Sequence, residues 1–172
     1  MPSDAKVYLP NSRNCFVCGE ENPAGLRTRF YVEGGTVRTR LHVRAHHCGY
    51  ANTVHGGVVA AALDEAMGWA AARALERMCL PAELTVRYLK PVPAGRDLMV
   101  TTEVLRVAKR LTHVAAAIVD DTGTLYVKAE GRFVPLSVEQ TLNIDSRLLY
   151  RGGEERVFDR LRAQRDATSP SE

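Results

Sequence analysis

The stretch from His55 to Met78, HGGVVAAALDEAMGWAAARALERM, most constrains what this chain can fold into. From Val58 to Leu75 almost every position is apolar or alanine, with Asp64, Glu65, Trp69 and Arg73 as the interruptions. Read at helical spacing, the segment makes a rod of roughly 30 Å that ends before Pro81. It carries too little polar surface to lie on an exterior and needs cover on several sides. Two adjacent carboxylates stand about two turns after the His-Gly-Gly start. Burying an unpaired carboxylate costs on the order of what a whole domain has to spare, so Asp64 and Glu65 are paired, set at an edge, or used for chemistry. They project about 100° apart and so do not both face one pocket.

The flanking sequence supplies the cover. Leu26 to Val32 alternates Leu26, Thr28, Phe30 and Val32 against Arg27, Arg29 and Tyr31, the pattern of a half-buried strand. Gly34-Gly35 turns the chain, and Thr36 to Arg44 alternates again with an arginine-rich outer face. That face reads as a solvated sheet surface with ion pairs rather than a phosphate site. After the helix come Ala82 to Leu89, Leu98 to Val107, Thr112 to Val119 and Leu125 to Val134, separated by turn-forming KPVPAGRD, AKR and DDTGT. The expectation is an α+β domain, an antiparallel sheet of about six strands against one long helix. Residues 1–14 read as an N-terminal arm, 15–136 as the domain, and 137–172 as a peripheral tail, partly helical over Glu154 to Arg165 and disordered in its closing DATSPSE.

With 45% hydrophobic and 25% charged residues the chain has an ordinary globular composition. A net charge of +3, from 23 basic and 20 acidic residues, is too balanced to argue for a nucleic-acid partner. No stretch approaches the roughly 20 apolar residues that cross a bilayer. The start, MPSDAKVYLPNSRN, lacks the apolar run of a signal peptide, so a cytoplasmic location is expected. Four cysteines suit a reducing compartment better than a disulfide framework.

Three features carry candidate chemistry. Gly56 and Gly57 leave backbone N–H groups unobstructed at the positive end of the helix, where an anion or a carbonyl oxygen is received without any side chain. Asp64 is too far along to cap that end and is a base or nucleophile toward a substrate entering from the side; an ion pair with an arginine is the rival reading for either carboxylate. His55, a tempting catalyst by residue type, reads rather as bonding local backbone. The third feature is CFVCGEENPAGL, where Cys15 and Cys18 form one side of a zinc tetrahedron if the His46, His47 and Cys48 cluster completes it. With no second C-x2-C, a packed loop with buried thiols is the preferred reading. No metal and no cofactor is assigned.

The segments HGGVVAAALDEAMGWA, AELTVRYLKPVPAG and DDTGTLYVKAEGRFV together resemble the PaaI-like branch of the hotdog-fold acyl-CoA thioesterase superfamily, and CFVCGEENPAGL with HHCGY resembles a subgroup of it. The likeness spans about Asn14 to Pro135. It implies a sheet wrapped around the central helix, protomers paired as homodimers or homotetramers, and active sites at the subunit interface. By motif, Asp64 is the nucleophile or general base in thioester hydrolysis, and Gly56 with Gly57 receives the thioester carbonyl. Gly49 or Asn52 stands where relatives place an Asn or Gln that positions substrate. Pro81 stands where relatives often carry a water-holding hydroxyl, and Glu83 substitutes only if its strand face turns toward the site. The implied function is hydrolysis of an acyl-CoA to CoA and a carboxylic acid, with His55, Asn52, Lys90, Lys109 and Arg110 as substrate-binding candidates; the three cations are expected to cluster at strand ends and to meet the CoA phosphates. A non-catalytic acyl-CoA-binding protein and a hydratase or dehydratase with His55 as base are the alternatives.

Overall fold

The computed structural model describes residues 5–168. In chain order the elements are β1 (Val7–Tyr8), β2 (Asn11–Ser12), β3 (Phe30–Glu33), β4 (Thr36–Leu41), one 3-10 turn at Ala45–His47, β5 (Cys48–Tyr50), β6 (Thr53–Val54), α1 (Gly56–Leu75), β7 (Cys79–Tyr88), β8 (Leu98–Ala108), β9 (Leu111–Asp120), β10 (Leu125–Pro135), α2 (Val138–Asp145), β11 (Leu148–Leu149) and α3 (Asp159–Thr168). Seven strands form one antiparallel sheet in the order β1-β3-β4-β8-β9-β10-β7, and α1 packs against its face. This is the hotdog arrangement.

Period-two patterning sets the inner face. In β9, Thr112, Val114, Ala116 and Ile118 are buried while His113, Ala115 and Ala117 are not. Phe133, Val100 and Leu41 from neighbouring strands join the same core as Val59, Leu63, Ala66 and Met67 of α1. At about 25 cal/mol per Å² of apolar surface removed from water, each fully buried side chain of Leu or Phe size contributes roughly 1.5–3 kcal/mol. The grease of α1 is thereby explained on the sheet side alone. Its other side, Val58, Ala60, Ala61, Asp64, Glu65 and Gly68, stays only half-covered.

Four boundaries differ from the sequence expectation, each for a local reason. The strand expected from Leu26 begins at Phe30, because Arg27 takes a positive φ of 54° and breaks the extended run. The helix ends at Leu75 rather than just before Pro81: Glu76 turns left-handed at φ 49°, and its N–H bonds Ala72 O. The following strand therefore starts at Cys79 and contains Pro81, which is tolerated because β7 is the sheet edge and the ladder shifts register beside Phe133. The seventh strand is β1, from the N-terminal arm, pairing Val7 with Val32. From the C-terminal segment, Phe158 and Leu161 enter the core, while the closing residues 169–172 lie outside the described range. No helix among the described residues is long and apolar enough to cross a membrane.

Candidate active site along the central helix

At the N-terminus of α1, His55 is the capping residue. Its N–H bonds His47 O at 2.9 Å, and its Nδ1 accepts the Gly57 N–H at 3.0 Å. The ring sits so close over Gly49 that a Cβ there would lie 3.1 Å from His55 Cδ2, so a larger residue at that point of the β5–β6 hairpin would press on the ring. The Gly57 amide is thus already committed. The Gly56 N–H, a first-turn donor, has no acceptor among the described residues and points out of the positive end of the helix. The Gly56 carbonyl accepts a 2.6 Å bond from Tyr88 Oη, which ties the end of β7 to this turn. His55, Gly56, Val59, Tyr88 and Lys90 border a cleft of about 810 Å³ here. Asn52 does not line it; it occupies the β5–β6 turn at φ 59° with its carbonyl taken by Ala94 N–H.

A second cleft, of about 390 Å³, opens farther along the same helix and the same sheet edge. Asp64, Glu65 and Gly68 form one wall, Leu80 and Pro81 another, with Phe133 and Trp69 among its apolar lining. Asp64 Oδ1 is buried with no hydrogen-bond partner. Burial, and secondarily the charge of Cys15, raises its proton affinity above the ordinary carboxylate range. No arginine pairs with it among the described residues. Asp64 is therefore a carboxylate aimed at a cleft, not half of a structural ion pair.

Glu65 lines the same cleft as Asp64, against the expectation from the 100° offset, and in addition reaches a different neighbour. Cys15 Sγ lies 3.0 Å from Glu65 Oε2, and Cys18 stands beside both. Burial, then the Cys15 charge, pushes Glu65 up to about 8, and Cys15 is drawn down to about 5, chiefly by the Cys18 thiol. The His46, His47 and Cys48 segment does not complete this group; His47 is buried and stacks edge-on with His46.

Besides Gly57, whose amide is taken by His55, and Asn52, which lies off the cleft, two more sequence expectations are corrected. Lys90 follows the end of β7, whereas Lys109 and Arg110 form the β8–β9 turn at the opposite end of the sheet: Thr112 pairs with Phe133, and Pro135 with Cys79 at the start of β7. The three cations do not cluster within a protomer, because strand order along the chain says nothing of which sheet end a turn occupies. Glu83 does not face Asp64; its carboxylate accepts from Arg132 Nη1 at 2.9 Å on the outer sheet face. Pro81 does line the Asp64 cleft and offers no hydroxyl, and the one hydroxyl there belongs to Ser12 of β2. Ser12 and Tyr88 went unnoticed in the sequence. Nothing marks Ser12, since its place depends on β2 pairing with β11.

Residues 51–127 match the family model described as the thioesterase superfamily. Mouse (Mus musculus) acyl-coenzyme A thioesterase THEM4 is 31% identical over 122 residues, 70% of this chain and 48% of that protein, so the chain spans about half the length of this relative. Among solved structures, the thioesterase superfamily protein RHA08564 is 31% identical with a TM-score of 0.66, covering 71% of this chain and 60% of that one. BH2602 from Bacillus halodurans, solved with CoA, is 29% identical with a TM-score of 0.56, covering 62% and 71%. The E. coli PaaI protein shares the fold at a TM-score of 0.60 and 19% identity, covering 65% and 81%. The family model over residues 51–127 and the two relatives at 31% identity agree on one assignment for the matched segment, the thioesterase superfamily.

Proposed function

We propose that the protein is an acyl-CoA thioesterase that works as a homodimer, alone or within a dimer of dimers. The observation that carries this reading is the separation of two complementary groups on one helix. Gly56 offers an unpaired amide and Asp64 an unpaired carboxylate, yet at the α-helical rise they stand about 12 Å apart along the axis. That is too far for both to act on one carbonyl in one protomer. A two-fold pairing of antiparallel α1 helices centred near Ala60 and Ala61 sets Gly56 of each copy against Asp64 of the other. The small, half-covered side chains at that centre allow close approach. The β7 edge, with Leu80 and Tyr88 about half exposed, supplies unpaired backbone for the same two-fold.

In that dimer the thioester carbonyl rests on the Gly56 N–H, which holds the negative charge that develops on oxygen. Asp64 of the other copy either takes a proton from water or attacks directly; water consumes the thioester, and CoA leaves as the thiol with a carboxylic acid as co-product. Lys90 at the mouth of the helix-start cleft is the cation nearest to hand for a CoA phosphate. Support comes from the THEM4 match and from the solved neighbour bearing CoA. A hydratase with His55 as base is disfavoured, because His55 Nδ1 is spent on the Gly57 amide.

The second reading, a non-catalytic acyl-CoA-binding protein, rests on Pro81 in place of a hydroxyl at the Asp64 cleft. One experiment separates them. A panel of acyl-CoAs with a free-thiol readout is run on wild type and Asp64→Asn, with oligomeric state followed by sedimentation. Loss of turnover by about 10²–10⁴-fold with the dimer intact is expected for a base or nucleophile. Turnover retained in the variant removes Asp64 from the chemistry, and tight binding without thiol release in wild type selects the binding protein.

A further inference from the structure

The N-terminal cysteine loop is built more tightly than a packed loop requires. Gly19 N–H bonds Cys15 O at 2.9 Å, and a Cβ on Gly19 would lie 2.3 Å from that oxygen, so only glycine lets the loop close. Two backbone amides aim at the sulfurs: Val17 N–H at Cys15 Sγ and Ser12 N–H at Cys18 Sγ, each at 3.3 Å. Opposite them Glu65 arrives from α1, and the three ligand atoms lie within 4.8 Å of one another. Among the described residues no lysine, arginine or histidine pairs with Glu65. Two thiols and a carboxylate thus converge on one point, Cys15 Sγ donating to Glu65 Oε2 at 3.0 Å, and replacing the thiol protons by a cation would keep all three atoms partnered.

We propose that Cys15, Cys18 and Glu65 form a three-ligand site for a divalent thiophilic cation, with Zn²⁺ the ion that two thiolates and a carboxylate suit. Zinc–sulfur bonds of about 2.3 Å and zinc–oxygen bonds of about 2.0 Å place tetrahedral ligand atoms roughly 3.5–3.8 Å apart, within the span of this cluster. On binding, the thiols release their protons to solvent. Cys18 and Glu65 both line the cleft that holds Asp64, so the remaining coordination position is open to water from that cleft. The ion would clamp the loop between β2 and β3 to α1, one residue from Asp64.

The test uses the full chain, expressed with Zn²⁺ in the medium and purified without chelator, with metal content measured by mass spectrometry. The expected result is about one zinc per protomer, with more than a tenfold loss in Cys15→Ser and in Cys18→Ser. Co²⁺ exchanged into wild type is expected to give a thiolate-to-cobalt charge-transfer band, which keeps the test sound if the cysteine variants fold poorly. In Glu65→Gln the cobalt spectrum is expected to shift and zinc to dissociate faster. Wild type with no bound zinc, no cobalt band, or a Cys15–Cys18 disulfide overturns the proposal, as does a cobalt spectrum unchanged by Glu65→Gln. Thiol release from acyl-CoA is measured on the same samples, so failure of the metal site and failure of the thioesterase reading are read separately.

Discussion

Tyr88 Oη donates a 2.6 Å hydrogen bond to the carbonyl oxygen of Gly56. The N–H offered to a ligand belongs to the same residue, in the adjoining peptide plane, so the strand that follows α1 restrains the helix-start donor through the Gly56 backbone. Tyr88→Phe removes only the hydroxyl. Because Tyr88 is 48% exposed, the stability cost is expected to be about 1 kcal/mol or less. If the donor stabilises developing charge, kcat falls several-fold while KM moves little, since a misaimed donor is felt mainly in the transition state. Urea unfolding and thiol-release kinetics on one preparation check both halves. A loss confined to stability would leave Tyr88 a structural tie only.

His55 makes a separate contribution at the same turn. Its Nδ1 accepts the Gly57 amide, and the neighbouring capping bond, Val58 N–H to His55 O at 2.9 Å, involves backbone alone. His55→Ala therefore deletes one cap acceptor and is expected to cost about 1 kcal/mol. His55→Asn, which restores a capping side chain, recovers most of that loss. Thermal unfolding of the pair measures it. A His55→Asn protein no more stable than His55→Ala would show that the ring's packing over Gly49, rather than the cap, is what counts.

Much of this was legible in sequence, and the limits are physical. The helix was readable because an all-round apolar run admits few alternatives, and the strands because alternation fixes a face. Asp64 and Glu65 could be told apart only as 100° apart; that both line one cleft and that Glu65 alone meets Cys15 depended on where the loop before β3 came to rest. Glu83 illustrates the complementary limit. Its strand was correctly placed, but facing is decided by register, and the shift beside Phe133 lies in the region that a sequence pattern does not register. The pairing of Tyr88 with Gly56 joins residues far apart in sequence through a polar tip on an otherwise ordinary strand aromatic, so no local signal announces it.

The β9–β10 turn sets an acid limit on the fold. Asp120 accepts N–H bonds from Thr122 and Thr124 at 3.0 and 2.9 Å and O–H bonds from Thr122 and Tyr126 at 2.6 and 2.9 Å, and faces Arg96 at 3.5 Å. These bonds, the Thr122 hydroxyl foremost, hold its proton affinity below the usual carboxylate range. A carboxyl with a lower pKa folded than unfolded contributes stability that is complete above the unfolded value of about 3.9 and is lost as pH falls through the folded value. Wild type is thus expected to be more stable than Asp120→Asn near neutral pH, and the two melting temperatures to converge on acidification below about pH 4. Parallel curves at every pH would assign the turn's stability to shape rather than to charge.

The C-terminal segment is held by a pair that is buried on one side only. The Asp145 side chain is 1% exposed and Arg162, its ion-pair partner from α3, is 38% exposed; Tyr150 Oη also donates to Asp145, at 2.5 Å. Exposed pairs contribute about 0.2–1 kcal/mol, whereas stripping the partner from a fully buried charge costs about 3–5 kcal/mol. Water reaches the guanidinium and the Tyr150 bond remains, so Arg162→Ala is expected to fall between those limits, near 2 kcal/mol. Most of that cost is the carboxylate left without its cation. The double variant Asp145→Ala with Arg162→Ala should therefore lose less than the two single losses added together, a coupling of at least about 0.5 kcal/mol in denaturant unfolding. Strict additivity would mean that α3 is fastened by its other contacts, the burial of Phe158 and Leu161 first among them, and that the ion pair follows the docking of the helix rather than securing it.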